Sequence, residues 1–358
     1  MTTLDDNKLI KKYDRFRMLE TIEDFSWQCQ QTWKEVKKVK LPKNYRKVKN
    51  VVINGMGGSG LPGHMIKELF KEDLRIPLEV INSYSLPWYL NRQTLYLLSS
   101  YSGSTEEPIS TGKMAAWRQA KILGITTGSK LASFLRRHNY PGYVFNPKYN
   151  YCKQPRLGLV YSLTAHLGLL RKLGLLKISD AKMKMVCHNL AKYQKKWGVG
   201  VKQKNNQAKQ LAKDLSLRLP IIIGSEFLSG NIHTISNQLN ENSKTYANYY
   251  QIPELNHHLL EGLSNPKINK QLFHFVFIES NLYLPRVQAR YRATQKMLKK
   301  LGFRFTKIKA VGEDKLDQVF SVLTFGSYLS FYLAVLNKVD PSPIPWVDFF
   351  KKELAKHK

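Results

Sequence analysis

Three groups of residues in this chain have types and spacing that could do chemistry. GMGGSG occupies residues 55–60 and SYSGSTEE residues 100–107. Glycines let backbone approach a ligand closely and adopt positive φ. In the second stretch Ser100, Ser102, Ser104 and Thr105 offer hydroxyl donors just before a helical pattern. A helix start presents unpaired N–H groups and the positive end of its dipole, which suits a phosphate. Each stretch alone has a plainer reading. Gly55, Gly57 and Gly60 fit a dinucleotide fingerprint loosely, although PLEVINSY (77–84) does not close with an acidic residue. A Ser/Thr cluster at a helix start is often only an N-cap. The third group lies far along the chain in LNENSK (239–244), PELNHH (253–258) and VDPSPIPWVDFFKKEL (339–354), with Arg156 in QPRLGLV beside it.

These residues need elements to position them. From residue 50 onward, apolar runs alternate with helical patterns. VVING (51–55), PLEVINSY, TLYLLS (94–99), ILGITTG and GYVFNP (142–147) read as strands, and PISTGKMAAWRQAKILG and LVYSLTAHLGLLRKLG as helices. Gly174 suits a C-terminal cap of the latter. Such alternation predicts parallel sheets with helices on both faces. In an open sheet of this kind, ligands sit beyond the carboxyl ends of the strands, where both loops fall. RLPIIIGSE, FHFVFIESN (273–281) and PRVQARYRATQKMLKKLGFRFTKI repeat the order of parts without the glycine-rich turn or the Ser/Thr cluster. The division expected is a helical extension packed on the outside (1–45), a first α/β domain with the anion loops (46–176), a Lys-rich helical connector (177–213) and a second α/β domain (214–358). In SGNIHTISNQLNENSK, Ile232, Ile235 and Leu239 form a core stripe at helical spacing, and Glu241 points away from it.

Composition narrows the classes. The 358 residues are 43% hydrophobic, enough for two domains with cores of their own. The net charge of +31 allows attraction to nucleic acid or to acidic small substrates. Zinc-finger spacing and an aromatic RNA-binding signature are both missing from the sequence, so no nucleic-acid partner is expected. Cys29, Cys152 and Cys187 are few and far apart, which predicts buried thiols in a reducing, cytoplasmic setting. The polar opening segment has no apolar signal core. The apolar stretch 321–336 is short and carries Ser, Thr and Tyr, so a buried helix is expected rather than a membrane span. His64, His138 and His166 lack partners at zinc spacing, and His188 points away from Cys187 on a helix, so neither a metal nor another cofactor is expected.

The pairing of GMGGSG with SYSGST resembles the sugar isomerase (SIS) domain. LNENSK, PELNHH and the DPSP segment resemble one branch of that family, the bifunctional phosphoglucose/phosphomannose isomerases. The likeness runs from about Val51 to the C-terminus. It implies two doubly wound SIS-type α/β domains, with central parallel sheets flanked by helices. It also implies a substrate-binding set of Gly57, Gly58, Ser59, Ser100, Ser102, Ser104 and Thr105 around a phosphosugar. Glu241 matches the family's base, which moves a proton between C1 and C2 of the open-chain sugar. His257 matches the histidine that helps open the ring and comes from the other subunit of a homodimer; His258 is its neighbour. Lys351 matches a second ring-opening residue, with Lys352 adjacent. Arg156 matches an arginine near the reacting end of the sugar, where a cation stabilises an enediolate oxygen. Ser342 stands where the family generally has threonine, a hydroxyl associated with accepting mannose 6-phosphate through rotation about C2–C3. The chain departs from the family after His257, with His258 and Leu259 in place of Asn and Glu.

The resemblance therefore implies an aldose–ketose isomerase of glycolysis and gluconeogenesis. It would interconvert glucose 6-phosphate, fructose 6-phosphate and mannose 6-phosphate without a metal. A non-catalytic SIS module that senses a phosphosugar is the alternative, and it would need none of Glu241, His257 and Lys351.

Overall fold

The structure is a computed structural model and describes residues 4–357. Two parallel sheets carry the architecture. The first has the order β2-β1-β3-β4-β5, with β1 Asn50–Asn54, β2 Leu78–Ile81, β3 Thr94–Ser99, β4 Lys121–Thr126 and β5 Gly142–Val144. The second has the order β7-β6-β8-β9, with β6 Leu219–Ser225, β7 Asn248–Ile252, β8 Phe273–Glu279 and β9 Arg304–Lys309. The first strand of each unit lies between the second and third, so the internal repeat read from the sequence is a repeat of topology.

Strands covered on both faces read as unbroken apolar runs. Every residue of β3 is buried. Side chains of a strand alternate between faces, and the two faces of the first sheet enter different cores. Val51, Ile53, Leu95, Leu97, Leu123 and Ile125 join the large core that continues into the second domain. Val52, Tyr96, Leu98 and Ile122 pack with Leu131, Phe134 and Leu135 in a smaller one. The latter three belong to a helix, Ser129–Arg137, that the sequence reading did not anticipate.

The 22-residue helix Lys315–Leu336 is long and apolar enough to cross a membrane, yet 94% of its most apolar window is buried inside the protein. It packs on the helices Asp180–Trp197, Gln207–Leu215 and Ser229–Ser243. The stretch expected as a connector thus lies against the core of the second domain. The N-terminal helix Phe25–Val36 also does more than pack on the outside. It buries Phe25, Cys29, Trp33 and Val36. Its Gln28 amide donates to the carbonyls of Tyr149 at 2.9 Å and Leu157 at 3.1 Å. All three cysteines are buried, and the sulfurs of Cys29 and Cys187 lie 2.6 Å apart. Gly174 follows the helix Leu159–Lys172 with φ +79°, as a C-terminal cap requires.

Candidate active site

The two anion loops meet because β1 and β3 are neighbours. Tyr101 N donates to Ser59 Oγ at 2.8 Å and so joins the loops directly. Ser100 is fully buried; its hydroxyl donates to Thr105 Oγ1 at 2.9 Å and accepts from Gly103 N at 3.2 Å. Gly103 has φ +70°, and a Cβ there would fall 1.9 Å from the carbonyl oxygen of Gly128. Ser59 and Ser100 therefore shape the loops from inside. Ser102 and Ser104 are exposed and Thr105 is half-buried. Thr105 precedes the helix Glu106–Trp117, makes no side-chain cap, and leaves the first N–H groups available to an anion. Glu106 and Glu107 occupy the first turn. A further hydroxyl that the sequence reading missed stands here: Ser129 Oγ is 2.6 Å from Ser104 Oγ. Its only sequence signal was the Thr-Gly-Ser turn after β4.

The other half of the site is built by the helix Ser229–Ser243. Its stripe of Ile232, Ile235 and Leu239 is buried, and the helix packs on Leu61–Leu69, the helix that follows GMGGSG. The rings of His64 and His233 meet at 5.0 Å across this junction. Glu241 lies on the last turn, with 29% of its side chain exposed, and its Oε2 is 3.5 Å from Arg156 Nη1. Burial pushes the Glu241 carboxyl above the ordinary glutamate range; Arg156, Lys244 and Lys351 each pull it back.

Arg156 is 1% exposed. Its Nε donates to Asn242 Oδ1 at 2.5 Å and its Nη1 to Gln154 Oε1 at 2.8 Å. Its Nη2 donates to the carbonyls of Pro341 at 2.9 Å and Ser342 at 2.7 Å. With one Nη1 hydrogen remaining toward Glu241, the guanidinium has no donor to spare for a substrate oxygen. Its expected effect on an enediolate is thus restricted to charge, and its hydrogen bonds clamp the DPSP segment onto the helix of Glu241. The backbone of Arg156 also abuts the GMGGSG loop: a Cβ on Gly58 would stand 2.9 Å from Arg156 N. Gly57, at φ +48°, has open space around it.

Ser342 is 1% exposed, and its hydroxyl has no hydrogen-bond partner among the described residues. Lys244, unassigned in the sequence reading, ends the Glu241 helix in the left-handed conformation, φ +54°. Its ammonium donates to the carbonyls of Glu241 at 2.7 Å, Asn242 at 3.3 Å and Pro341 at 3.2 Å. His257 ends a single turn, Glu254–His257, after β7. Both His257 and His258 are exposed, and among the described residues neither side chain makes a hydrogen bond or ion pair within the chain. Within one chain, contacts of Arg156 thus join Glu241 and the Ser342 carbonyl. The helix that carries Lys351, Pro345–Leu354, has no buried residue and exposes Trp346, Phe349 and Phe350.

The corresponding end of the second sheet is closed by its own side chains. Ser280 Oγ donates to Gln318 Oε1 at 2.6 Å, and Gln318 Nε2 reaches Asn281 Oδ1 at 3.1 Å. Among the described residues no group of three His, Cys, Asp or Glu side chains could hold a metal ion.

Comparison with known proteins agrees with this geometry. A family model described as the bacterial phospho-glucose isomerase C-terminal SIS domain matches residues 204–354. A bifunctional phosphoglucose/phosphomannose isomerase of Caldicellulosiruptor bescii is 32% identical over 345 residues, covering 95% of this chain and 100% of the relative. One from Aquifex aeolicus is 30% identical, covering 91% and 95%. Among solved structures, a hypothetical protein of Thermus thermophilus superposes with a TM-score of 0.75 at 16% identity, covering 98% of this chain and 92% of that one. The C-terminal domain of glucosamine-fructose-6-phosphate aminotransferase from Francisella tularensis gives 0.68 at 15%, covering 92% and 98%. These two likenesses speak for the fold, and the closer sequence relatives for the activity. The chain is an isomerase that belongs to the bifunctional phosphoglucose/phosphomannose isomerase family.

Proposed function

We propose that this isomerase interconverts glucose 6-phosphate with fructose 6-phosphate, and mannose 6-phosphate with fructose 6-phosphate, through a cis-enediol. The observation that carries the reading is Arg156. Its backbone abuts the phosphate loop at Gly58 while its guanidinium lies 3.5 Å from Glu241 Oε2. One buried residue therefore spans the distance from a phosphate wall to a proton-transferring carboxylate. Ser102, Ser104, Thr105 and the helix-start amides hold the phosphate; Gly57, Gly58 and Ser59 form the facing wall; Ser100 and Ser59 keep the loops in shape. The carboxylate of Glu241 removes the proton from one carbon and returns it at its neighbour. Burial supports this role, because a raised pKa makes the carboxylate a stronger base near neutral pH. The positive charges of Arg156 and Lys351 favour the enediolate. Lys351 and His257 assist ring opening. The hydroxyl of Ser342, which no protein group among the described residues engages, serves the C2–C3 rotation that mannose 6-phosphate requires.

His257 acts in the neighbouring subunit of a homodimer. Its exposure and lack of a partner among the described residues support this, as do the exposed Trp346, Phe349 and Phe350 on the helix that carries Lys351. The protein works in the cytoplasm, in glycolysis and gluconeogenesis.

The test couples fructose 6-phosphate turnover to detection of both aldose products. Glu241→Gln is expected to lose about 10²-fold or more in kcat while still binding the phosphosugar. Full turnover in that variant would remove the base. Binding without turnover in the wild type would leave a phosphosugar sensor. Glu241→Gln mixed with His257→Ala, dissociated and reassociated, should recover about a quarter of wild-type activity, because half the dimers then hold one intact site of two. No recovery would place His257 outside the neighbour's site.

A further inference from the structure

We propose that Lys244 is a positioning residue for Glu241, tying the last helical turn that carries the base to the segment that carries Ser342. The inference rests on the isomerase reading of the site.

Helix ends leave their last carbonyls without partners. Here the Lys244 ammonium returns to two of them, Glu241 O and Asn242 O, at 2.7 and 3.3 Å. A helix cap alone would need no more. The third donor instead crosses to Pro341 O at 3.2 Å, a carbonyl that also accepts from Arg156 Nη2 at 2.9 Å. One peptide oxygen of the DPSP segment is thus gripped by two cations, one rooted beside the phosphate loop and one at the end of the Glu241 helix. Removing either lets the Ser342 segment drift from Glu241. The left-handed backbone at Lys244 brings the side chain back over its own helix.

The charges facing this ammonium come from three elements. Arg156 repels it from the 155–157 turn. Asp340 attracts it from the DPSP segment, where Asp340 also accepts from Arg15 Nε at 3.1 Å. Glu241 attracts it from its own helix. Burial, helped by Arg156, lowers the Lys244 pKa to about 8, against the pull of Asp340 and Glu241. Above that pH the clamp loses its charge while Glu241 stays ionised, so turnover should fall on the alkaline side. Arginine holds its charge to far higher pH.

The experiment measures kcat and KM for fructose 6-phosphate from pH 5.5 to 10 in wild type, Lys244→Met and Lys244→Arg, with melting temperature and Glu241→Gln alongside. Methionine and lysine bear the same left-handed backbone strain, so the comparison isolates the ammonium. Lys244→Met is expected to lose about 10-fold in kcat with KM within about twofold, since a base displaced by a fraction of an ångström loses rate before binding. Lys244→Arg should recover most of kcat and move the alkaline limb upward. Lys244→Met with wild-type kcat, a kcat loss that only follows the fraction folded, or an alkaline limb unmoved by arginine would each overturn the role. Glu241→Gln separates the two ideas. If that variant is inactive while Lys244→Met is fast, only the clamp falls; if it is fully active, the reading of the site falls with it.

Discussion

Arg156→Met asks the most of this structure. The side chain is 1% exposed and directs four hydrogen bonds, of 2.5 to 2.9 Å, to Asn242, Gln154, Pro341 and Ser342. Methionine fills similar volume but leaves those acceptors short of a donor and Glu241 without its nearest cation. Breaking a buried charged pair by removing one partner costs about 3–5 kcal/mol. At ~2.1 cal/mol/K per residue, a chain of 358 residues has an unfolding entropy near 0.75 kcal/mol/K, so Tm should fall by about 4–7 °C. The site should respond as well. Arg156 is the largest influence opposing the burial that raises the Glu241 pKa. Its removal lifts that pKa further. Glu241 acts as a base only when ionised, so the acid limb of kcat moves to higher pH. Arg156→Lys keeps a charge but loses the planar fork, so it should lower Tm while leaving the acid limb nearer the wild-type position. Calorimetry and a pH–kcat profile at saturating fructose 6-phosphate read both effects. Wild-type melting within about 1 °C, where the calculation requires several, together with an unmoved acid limb, would refute the clamp.

Two further substitutions test the remaining parts. Gly103→Ala forces a Cβ to within 1.9 Å of the Gly128 carbonyl oxygen at φ +70°. The loop must move, and KM for the phosphosugar and the inhibition constant of inorganic phosphate should both rise about 10-fold or more with kcat less affected; unchanged phosphate binding would place the anion elsewhere. Ser342→Ala removes a buried hydroxyl that has no protein partner among the described residues. Stability should change by less than about 1 kcal/mol, while mannose 6-phosphate turnover falls more than that of glucose 6-phosphate. An equal fall in the two activities would exclude a selective role for the hydroxyl.

How much of this was legible in the sequence depended on how local each feature was. β3 coincides with TLYLLS because a strand covered on both faces needs an uninterrupted apolar run. β7, NYYQI, escaped the reading because an edge strand is covered less and shows no such run. The helix Ser129–Arg137 was missed because its polar face breaks the apolar run, although Leu131, Phe134 and Leu135 pack as one face. The loops GMGGSG and SYSGST could be read directly as tight turns, since close backbone approach restricts them to glycine and small hydroxyl residues.

The sequence by itself determined the repeated α/β order and the two glycine- and hydroxyl-rich loops, and it singled out the candidate residues Glu241, Arg156, Ser342 and Lys351. Tertiary structure alone decided what each polar group faces. It turned the hydroxyls of Ser59 and Ser100 inward and left Ser102 and Ser104 outside. It committed the guanidinium of Arg156 to carbonyls 185 and 186 residues away and gave Lys244 a carbonyl 97 residues away. It set the charges of Arg156, Lys244 and Lys351 against the burial that raises the Glu241 carboxyl. The physical reason is that helix and strand periods are written in neighbouring residues, whereas a buried polar side chain takes the partner that the packed fold brings to it.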